Sequence, residues 1–229
     1  IDLKDFSSIL SFITDNKIDL TVVGPENPLA DGIVDFLSNK GAKVFGPTMY
    51  CAQLESSKIF ARDLMKACKV PQPNYIECSN IDQAIEAKEC FGFPLVLKAD
   101  GLAAGKGVVI CDDESSFENT LKDMFNDKKF GTACDKISVE ECIVGEELSV
   151  FAVCSGQDYQ ILNTAQDYKR VFDGDKGPNT GGMGAYSPTP LTTDNLIGKV
   201  ESRIIVPVLK ELQRIGNPYL GFLYVGIMI

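Results

Sequence analysis

The chain has 229 residues, of which 45% are hydrophobic and 24% charged, a composition typical of a folded domain rather than a disordered segment. Its 22 Lys and Arg residues against 32 Asp and Glu residues give a net charge of −10, which argues against a general nucleic-acid-binding or anionic-membrane-binding surface. Histidine is absent, which excludes His-dependent catalytic triads and His zinc ligands, and no apolar stretch approaches the ~20 residues that span a bilayer.

The first 54 residues predict an alternation of helices and strands. Helical spacing covers residues 2–16 and 28–40, and two short apolar runs at 18–23 and 42–45 are each stopped by a Gly-Pro pair. Apolar runs of this kind are typical of buried strands in a parallel sheet. The β–α–β order predicts half of an open, doubly wound sheet, so the predicted fold class is α/β.

A break at Pro71 and Pro73 marks the predicted domain boundary. Before it, Ser56 or Ser57 is placed to cap a helix that runs to about Lys69. After it, the sequence predicts strands near 75 and at 94–99, 108–111, 136–141 and 147–154, helices at 81–91, 113–126 and 193–215 with a kink at Pro207, and a long polar loop over about 164–188.

Both ends of the chain lie inside apolar patterns. The chain opens on Ile1 in an amphipathic pattern, without a methionine, and stops at Ile229 inside the apolar run 222–229. An unpaired apolar edge strand invites aggregation. We therefore expect these residues to be an incomplete piece of a longer protein, truncated at both ends.

Eight cysteines are scattered through the chain, and none forms a C-x-x-C pair. A structural zinc site is therefore disfavoured. Scattered cysteines in a chain of this size indicate reduced thiols, most of them buried, in an intracellular protein. The predicted location is the cytoplasm.

A glycine-rich loop between two predicted strands carries the main functional prediction. It runs from Lys98 to Gly107 as KADGLAAGKG, with a second lysine at Lys106. Small residues let backbone N–H groups approach phosphate oxygens, and lysines add positive charge. The spacing matches neither a Walker P-loop nor G-x-G-x-x-G. The loop therefore predicts a phosphate-binding site, and the structural alternative is a flexible hairpin with solvated lysines.

Acidic residues follow in the segment EECIVGEE at 140–147. Ionised carboxylates only accept hydrogen bonds, so Glu140 and the nearby backbone can read the amino group and ring nitrogen of adenine. Glu147, seven residues on, can hold two ribose hydroxyls. The alternative is a solvated acidic turn.

Three further features suggest a substrate site. Lys169 and Arg170 offer charge to an anionic substrate, and the glycines of GPNTGGMGAYSP at 177–188 expose backbone amides. A mobile surface loop is the alternative for this segment. Glu26 follows a predicted strand, where open α/β sheets bind ligands, and can hold an amine or a hydroxyl, although a simple turn fits equally well. The whole set fits activation of a carboxylate by ATP, in which positioning and charge supply the catalysis.

The same segments resemble the glycinamide ribonucleotide synthetase family of ATP-grasp enzymes. The matching text, in family order, is VVGPENPLADGIV, FGPT with AQLESSK, LVLKADGLAAGKGVVI, VEECIVGEELS, AQDYKR, GPNTGGMGAYSP and GFLYVGIMI. The resemblance implies an ATP-grasp fold preceded by part of a Rossmann-like (pre-ATP-grasp) parallel-sheet domain. Residues 1–54 would be the remainder of that N-terminal domain, 55–72 with 143–229 an incomplete central lobe, and 73–142 a small lid lobe.

The resemblance also implies a reaction of purine biosynthesis. Glycine is joined to 5-phosphoribosylamine through glycyl phosphate, with ATP and Mg²⁺ (or Mn²⁺) as cofactors and ADP and phosphate as by-products. These small molecules are the expected partners, with no nucleic acid and no membrane, and fusion to other purine-pathway enzymes is a further expectation from the family.

Family roles transfer to the matching positions of this chain. Catalytic roles fall on Lys98, Lys106 and Arg170. ATP binding falls on Lys58, Lys98, Gly105, Lys106, Gly107, Glu140, Ile143 and Glu147. Substrate binding falls on Glu26, Asp167, Lys169, Arg170, Pro178, Asn179, Thr180, Gly181, Gly182, Met183 and Gly184. Tyr168 stands where the family usually has histidine, so no proton transfer is expected there.

Two departures from the family concern completeness. The family's glycine-rich opening segment and its magnesium-binding segment have no match in these residues, so the metal ligands are expected C-terminal to Ile229. This segment alone is therefore expected to be inactive. Two alternatives stay open: another ATP-grasp carboxylate–amine ligase, and a non-catalytic nucleotide-binding fragment.

Overall fold

A computed structural model describes residues 1–103, 106–174 and 176–229, with the backbone but not the side chain of Pro178. It contains α/β units in the predicted order: a small parallel sheet, then a four-stranded antiparallel sheet, then a three-stranded antiparallel sheet with a two-stranded ribbon. This arrangement confirms the predicted fold class.

The N-terminal unit has short strands between helices. Its elements are α1 (Phe6–Asp15), β1 (Thr21–Val22), α2 (Glu26–Ala30), α3 (Ile33–Asn39) and β2 (Val44–Phe45). The two strands pair in parallel, with Thr21 opposite Val44, and are shorter than the apolar runs that predicted them. The predicted helix over 28–40 is wrong in detail: it is two helices, because Gly32 adopts a left-handed φ of +87° that ends the first.

Two consecutive helices lead out of this unit. They are α4 (Met49–Ser56), which the sequence analysis did not predict, and α5 (Lys58–Ala67). Ser57 caps α5, since its Oγ accepts a hydrogen bond from the N–H of Phe60 at 3.0 Å. The prediction that Ser56 or Ser57 begins this helix is confirmed.

The next unit is a four-stranded antiparallel sheet with helices on it. Its elements, in chain order, are β3 (Tyr75–Cys78), α6 (Ile81–Phe91), β4 (Leu95–Ala99), β5 (Val108–Cys111), α7 (Glu114–Leu121) and β6 (Ile137–Glu141). Helix α7 continues into a π-helical turn, Lys122–Asn126. The spatial order is β3-β6-β4-β5, which places β6 directly beside β4.

The last unit is built on a long strand pair. Its elements are β7 (Glu147–Ser155), β8 (Asp158–Ile161), β9 (Gln166–Phe172), β10 (Lys176–Tyr186), α8 (Asp194–Val200), α9 (Val206–Arg214) and β11 (Leu220–Met228). Strand order is β11-β7-β8, with β9 and β10 forming a separate antiparallel ribbon. A π-helical turn, Glu201–Ile205, joins α8 directly to α9, so the predicted helix at 193–215 is one continuous helical segment, and Pro207 is the second residue of α9.

The prediction of a polar loop over residues 164–188 is wrong. Most of it is the ribbon of β9 and β10, in which Arg170 pairs with Asn179 and Tyr168 with Gly184. The segment lacks the apolar alternation that predicts a strand, and its order comes from cross-strand pairing instead.

Within the part of the chain that the structure describes, three hydrophobic cores lie under these units. One joins α1, α3 and the parallel strands, a second lies under the four-stranded sheet, and the third joins α5, α9, β7 and β11. All eight cysteines are free, and five of them are buried: Cys51, Cys78, Cys111, Cys134 and Cys154. These positions agree with the prediction that most of the thiols are buried.

Candidate nucleotide-binding site

Lys58 is the first residue of α5, and Asp100 bonds the residues on both sides of it. The Oδ1 atom of Asp100 accepts hydrogen bonds from Ser57 Oγ at 2.9 Å and from the N–H of Ile59 at 3.0 Å. Asp100 follows β4, two residues after Lys98. A single carboxylate therefore ties the start of α5, with Lys58, to the end of the strand that carries Lys98.

Lys98 and Glu140 meet on one face of the four-stranded sheet. Lys98 lies opposite Ser138 in the β4–β6 register, and Glu140 is two residues further along β6, so the side chains are diagonal neighbours. Lys98 Nζ lies 2.9 Å from Glu140 Oε2, and Ser138 Oγ donates to Glu140 Oε1 at 2.8 Å.

Arg62, from α5, completes this buried cluster. Its Nε donates to Glu140 Oε1 at 3.1 Å and its Nη2 to Oε2 at 2.5 Å, a bidentate pair. The Glu140 side chain is only 1% exposed, whereas that of Lys98 is 21% exposed. Glu140 is thus enclosed, while the lysine retains an open side.

The cluster shifts the pKa of both ionised groups. Burial lowers the pKa of Lys98, and the positive charges of Arg62 and Lys58 lower it further against the attraction of Glu140. Burial alone raises the pKa of Glu140, but the hydrogen bonds and charges of Arg62 and Lys98 outweigh this and hold its pKa below the ordinary value.

The loop between β4 and β5 approaches its surroundings closely through glycine. A Cβ on Gly107 would meet Ala103 Cβ at 2.8 Å and Ala99 Cβ at 3.3 Å, so no side chain fits there. Lys106 is exposed beside it, in a turn closed by its own N–H on the Ala103 carbonyl at 2.9 Å. Gly105 lies outside the described residues.

Glu147 and Lys169 form a second cluster, at the start of β7. Lys169 Nζ donates a short hydrogen bond to Glu147 Oε2 and lies 3.0 Å from Asp167 Oδ2. Burial alone lowers the pKa of Lys169, but the hydrogen bonds with Glu147 and Asp167 outweigh it and raise that pKa. Glu147, the residue predicted to bind ribose, therefore contacts Lys169, a residue predicted to bind substrate, and Lys169 in turn contacts Asp167. Ile143, in the connection before β7, is 42% exposed.

The ribbon of β9 and β10 presents the remaining predicted substrate residues. Thr180 Oγ1 donates to the Lys169 carbonyl at 2.8 Å and accepts from the N–H of Gly182 at 3.0 Å, which orders this part of β10. Gly182 has a φ of +123°, which favours glycine. Open space surrounds the Cβ positions of the glycines 181, 182 and 184, and Met183 is exposed. Arg170 and Asn179 face each other across the ribbon as a register pair, and Pro178 lies in β10.

Glu26 is apart from both clusters. It is the first residue of α2, exposed at the carboxyl end of β1, and within the described residues it joins neither the Lys98 nor the Lys169 group. Residues 1–103, 106–174 and 176–229 also contain no group of three or more acidic or cysteine side chains that could hold a metal ion. None of the described helices is long and apolar enough to cross a membrane.

Sequence reasoning missed the roles of Arg62 and Ser138, which bond Glu140, and of Asp100, which bonds the residues on either side of Lys58. Arg62 follows Lys58 by four residues, so the two share one face of α5, and this spacing was a usable signal. Ser138 precedes Glu140 by two residues on a strand and therefore shares its face. Asp100 stood inside the recognised motif, but nothing in the motif indicates that it caps a distant helix.

Two family models cover the chain. The phosphoribosylglycinamide synthetase N domain matches residues 1–55, and the phosphoribosylglycinamide synthetase ATP-grasp (A) domain matches residues 56–229. A curated relative, the phosphoribosylamine–glycine ligase of Leptospira interrogans, is 44% identical over 98% of this chain. The chain spans about half the length of the curated relatives it matches, 53% in this case.

Solved structures show the same similarity. The phosphoribosylamine–glycine ligase of Thermotoga maritima is 37% identical, with a TM-score of 0.72 over 81% of this chain and 47% of that one. A biotin carboxylase domain of Hydrogenobacter thermophilus, determined with MgADP and bicarbonate, shares the fold at 15% identity, with a TM-score of 0.76 over 97% of this chain and 47% of that one. With both family models matched in order, the chain belongs to the phosphoribosylglycinamide synthetase family.

Proposed function

We propose that the protein is an ATP-dependent carbon–nitrogen ligase that joins glycine to 5-phosphoribosylamine. The observation that carries the proposal is that Asp100 ties the start of α5, where Lys58 lies, to the end of β4, which carries Lys98. Two lysines on elements that one carboxylate ties together are suited to the negative charge of a nucleotide polyphosphate. Family membership supports this reading of the chemistry.

The predicted roles divide between two clusters. Lys58, Lys98 and Lys106 would hold phosphates, with the loop through Gly105 and Gly107 covering them. Ile143 would read the adenine ring through its backbone, and Glu147 would accept the ribose hydroxyls. The adenine contact predicted for Glu140 stays a prediction. Because Glu147 already contacts Lys169, nucleotide binding would rearrange a carboxylate that also contacts the substrate side.

The proposed chemistry is acyl activation followed by amide formation. A carboxylate oxygen of glycine attacks the γ-phosphorus of ATP, the bond to ADP breaks, and glycyl phosphate forms. The amine of 5-phosphoribosylamine then attacks the glycyl carbonyl, and phosphate leaves with the bridging oxygen. Lysine charges would balance the transferred phosphoryl group, Arg170 with the ribbon at 177–184 would hold the anionic substrate, and Glu26 would face the phosphoribosylamine.

A role for magnesium in the proposed reaction rests on family membership alone. When bound, it would neutralise the phosphate charge of ATP, as Mn²⁺ also can. The described residues offer no carboxylate cluster that fits either ion, and we assign none of them to the metal.

The lobe division is also a proposal. Residues 1–54, 73–142, and 55–72 with 143–229 each coincide with most of one hydrophobic core, although Cys51 packs in the third core. Glycine, 5-phosphoribosylamine and ATP are the proposed binding partners, and the cytoplasm is the proposed location of the protein. Fusion to other purine-pathway enzymes stays an expectation from the family.

The direct test is ADP release by the full-length protein with ATP, Mg²⁺, glycine and fresh 5-phosphoribosylamine, omitting one component at a time. The proposal predicts that release requires both glycine and the amine. Release that ignores glycine would assign the protein to another ATP-grasp ligase. Tight ATP binding without ADP release would indicate a non-catalytic nucleotide-binding protein.

A further inference from the structure

The ribbon of β9 and β10 has little in its sequence to fix the alignment of its two strands. Glycine occupies four of the eleven positions of β10, and neither strand alternates apolar and polar residues. In strands rich in glycine and polar residues the pairing register is weakly specified, and a slip by one residue turns the side chains to the opposite face. The register already shifts between Lys176 and Asn179 and between Asn179 and Gly184. Contacts other than apolar packing therefore fix the regular part of the ribbon.

Three consecutive register pairs form the regular base of the ribbon and join residues 166–168 to residues 184–186. At the last of these pairs, Tyr186 Oη donates a hydrogen bond to Gln166 Oε1 at 2.6 Å. Thr189 Oγ1, three residues further along the chain, donates to the same oxygen at 3.3 Å. The side-chain oxygen of Gln166 therefore joins the start of β9 to the end of β10 through two hydroxyl groups.

Buried contacts beside Gln166 support this junction. Ser187 Oγ donates to the Thr164 carbonyl at 2.6 Å, and the hydroxyl groups of Thr164 and Thr192 share a short hydrogen bond. Thr164 and Thr189 are only 3% and 4% exposed. Hydrogen bonds that are shielded from water are stronger than exposed ones, so the base is the firm end of the ribbon.

The base is also attached to β7, beside the contact between Glu147 and Lys169. Ala165 exchanges two backbone hydrogen bonds with Ser149 of β7, at 2.8 and 2.9 Å. This attachment sets β9, with Lys169, against Glu147. The position of β10 is set separately, by the contacts at Gln166. The Gln166 oxygen therefore decides which residues of β10 lie beside Lys169.

We propose that Gln166 is a positioning residue for substrate binding, which fixes the register of β10 and so holds the glycine-rich segment 177–184 beside Lys169. In this register Thr180 Oγ1 donates to the Lys169 carbonyl at 2.8 Å. The inference rests on the proposed function, because that function assigns the segment to the substrate. Gln166 itself would touch neither the substrate nor the nucleotide.

The first test measures steady-state ADP release by the full-length protein, with KM determined separately for ATP and for 5-phosphoribosylamine. Gln166→Met keeps the length of the side chain and removes the acceptor of two hydrogen bonds. It should raise the KM for 5-phosphoribosylamine by about tenfold or more. The KM for ATP should stay within about twofold of the wild-type value, because the proposed phosphate-binding lysines lie on α5 and β4. Tyr186→Phe keeps the ring that stacks on Tyr168 and removes one bond, so the rise should be about fivefold.

The matched control is Tyr219→Phe, which removes a hydroxyl hydrogen bond of similar length, 2.8 Å to the Phe222 carbonyl, in the third hydrophobic core. Both of its KM values should stay at the wild-type level. Combining Tyr186→Phe with Gln166→Met should raise the KM for 5-phosphoribosylamine no further than Gln166→Met alone, within about twofold, because both changes remove the same contact. A further rise of about fivefold would mean that Tyr186 acts independently of Gln166, which contradicts the proposal.

Hydrogen–deuterium exchange examines the register without catalysis. In Gln166→Met the backbone amides of β10 should exchange about tenfold faster than in the wild-type protein, because the base of the ribbon opens more often. Gln166→Glu keeps an acceptor oxygen for both hydroxyl groups, so its β10 amides should exchange at the wild-type rate. If Gln166→Met does not fold, Tyr186→Phe takes its place in the same comparison.

Two results would overturn the inference while leaving the proposed function intact. One is unchanged exchange of the β10 amides in the folded variant Gln166→Met. The other is a fall in kcat with both KM values unchanged, because that pattern indicates a general loss of folded protein. If the wild-type protein releases no ADP, the proposed function itself fails, and the exchange comparison still shows whether Gln166 fixes the ribbon.

Discussion

Lys98 is the residue on which the proposed phosphate contact depends most directly. A hydrogen bond to a charged group contributes about 1.5–3 kcal/mol, so Lys98→Ala should raise the Kd for ATP between about 10-fold and 100-fold. Isothermal titration of the full-length protein measures this. Lys136→Ala is the control, because Lys136 makes an exposed ion pair with Glu77 in the same unit; an equal loss in both variants would argue against a specific phosphate contact.

Glu147 should affect substrate saturation rather than turnover. Contacts to the ribose are the same in the ground state and in the transition state, so Glu147→Ala should raise the KM for ATP and leave kcat near the wild-type value. Steady-state ADP release gives both constants. The neighbouring Glu146→Ala serves as the control, and a fall in kcat with unchanged KM for Glu147→Ala would contradict the ribose assignment.

The lowered pKa of Glu140 also makes the folding stability of the protein depend on pH. Its folded pKa lies below the ordinary 4.5, so as pH falls through 4.5 the unfolded chain takes up a proton that the folded chain does not, and stability is lost. The stability difference between wild type and Glu140→Gln, measured by urea unfolding, should therefore shrink as pH falls below about 4.5. A difference that stays constant from pH 7 downward would contradict the ion pairing seen here.

At the scale of single elements, the sequence predicts some strands well and others poorly. The strand at 108–111 is β5 with the same bounds, because a short apolar run bounded by polar residues is a strong local signal. The ribbon β9–β10 was missed because glycines and charged residues dominate it, and pairing rather than propensity orders it. Arg62 and Asp100 bond residues of other elements, and although the spacing of Arg62 after Lys58 places both on one face of α5, it does not indicate the partner of Arg62.

The loop between β4 and β5 gives a prediction at this scale. A methyl group at Gly107 would collide with Ala103 and Ala99, so Gly107→Ala should displace the loop and weaken ATP binding by about tenfold or more. Gly198→Ala is the control, because Gly198 lies in α8 with open space at its Cβ. That control should bind ATP normally and gain about 0.5–1 kcal/mol of stability; normal ATP binding by Gly107→Ala would contradict a close-fitting loop.

At the scale of the whole molecule, the proposed function depends on bringing separate units together. Lys58 and Lys98 come from different units, Asp100 and Arg62 bridge them, and Glu147 touches Lys169 of the ribbon. The sequence motifs predicted Lys58, Lys98, Glu147 and Lys169 as site residues, but not the roles of Asp100 and Arg62. It did not predict that Glu147 and Lys169 are in contact, because that contact is set by how β7 and the ribbon pack.

The most direct test of ligation through glycyl phosphate follows an oxygen atom of the glycine carboxylate. Glycine labelled with ¹⁸O in its carboxylate is supplied to the full-length protein with ATP, Mg²⁺ and 5-phosphoribosylamine, and the released phosphate is examined by mass spectrometry. Activation through glycyl phosphate predicts one ¹⁸O atom in phosphate for each amide formed, because the bridging oxygen leaves with phosphorus. Amide formation with unlabelled phosphate, or no amide at all, would contradict the account.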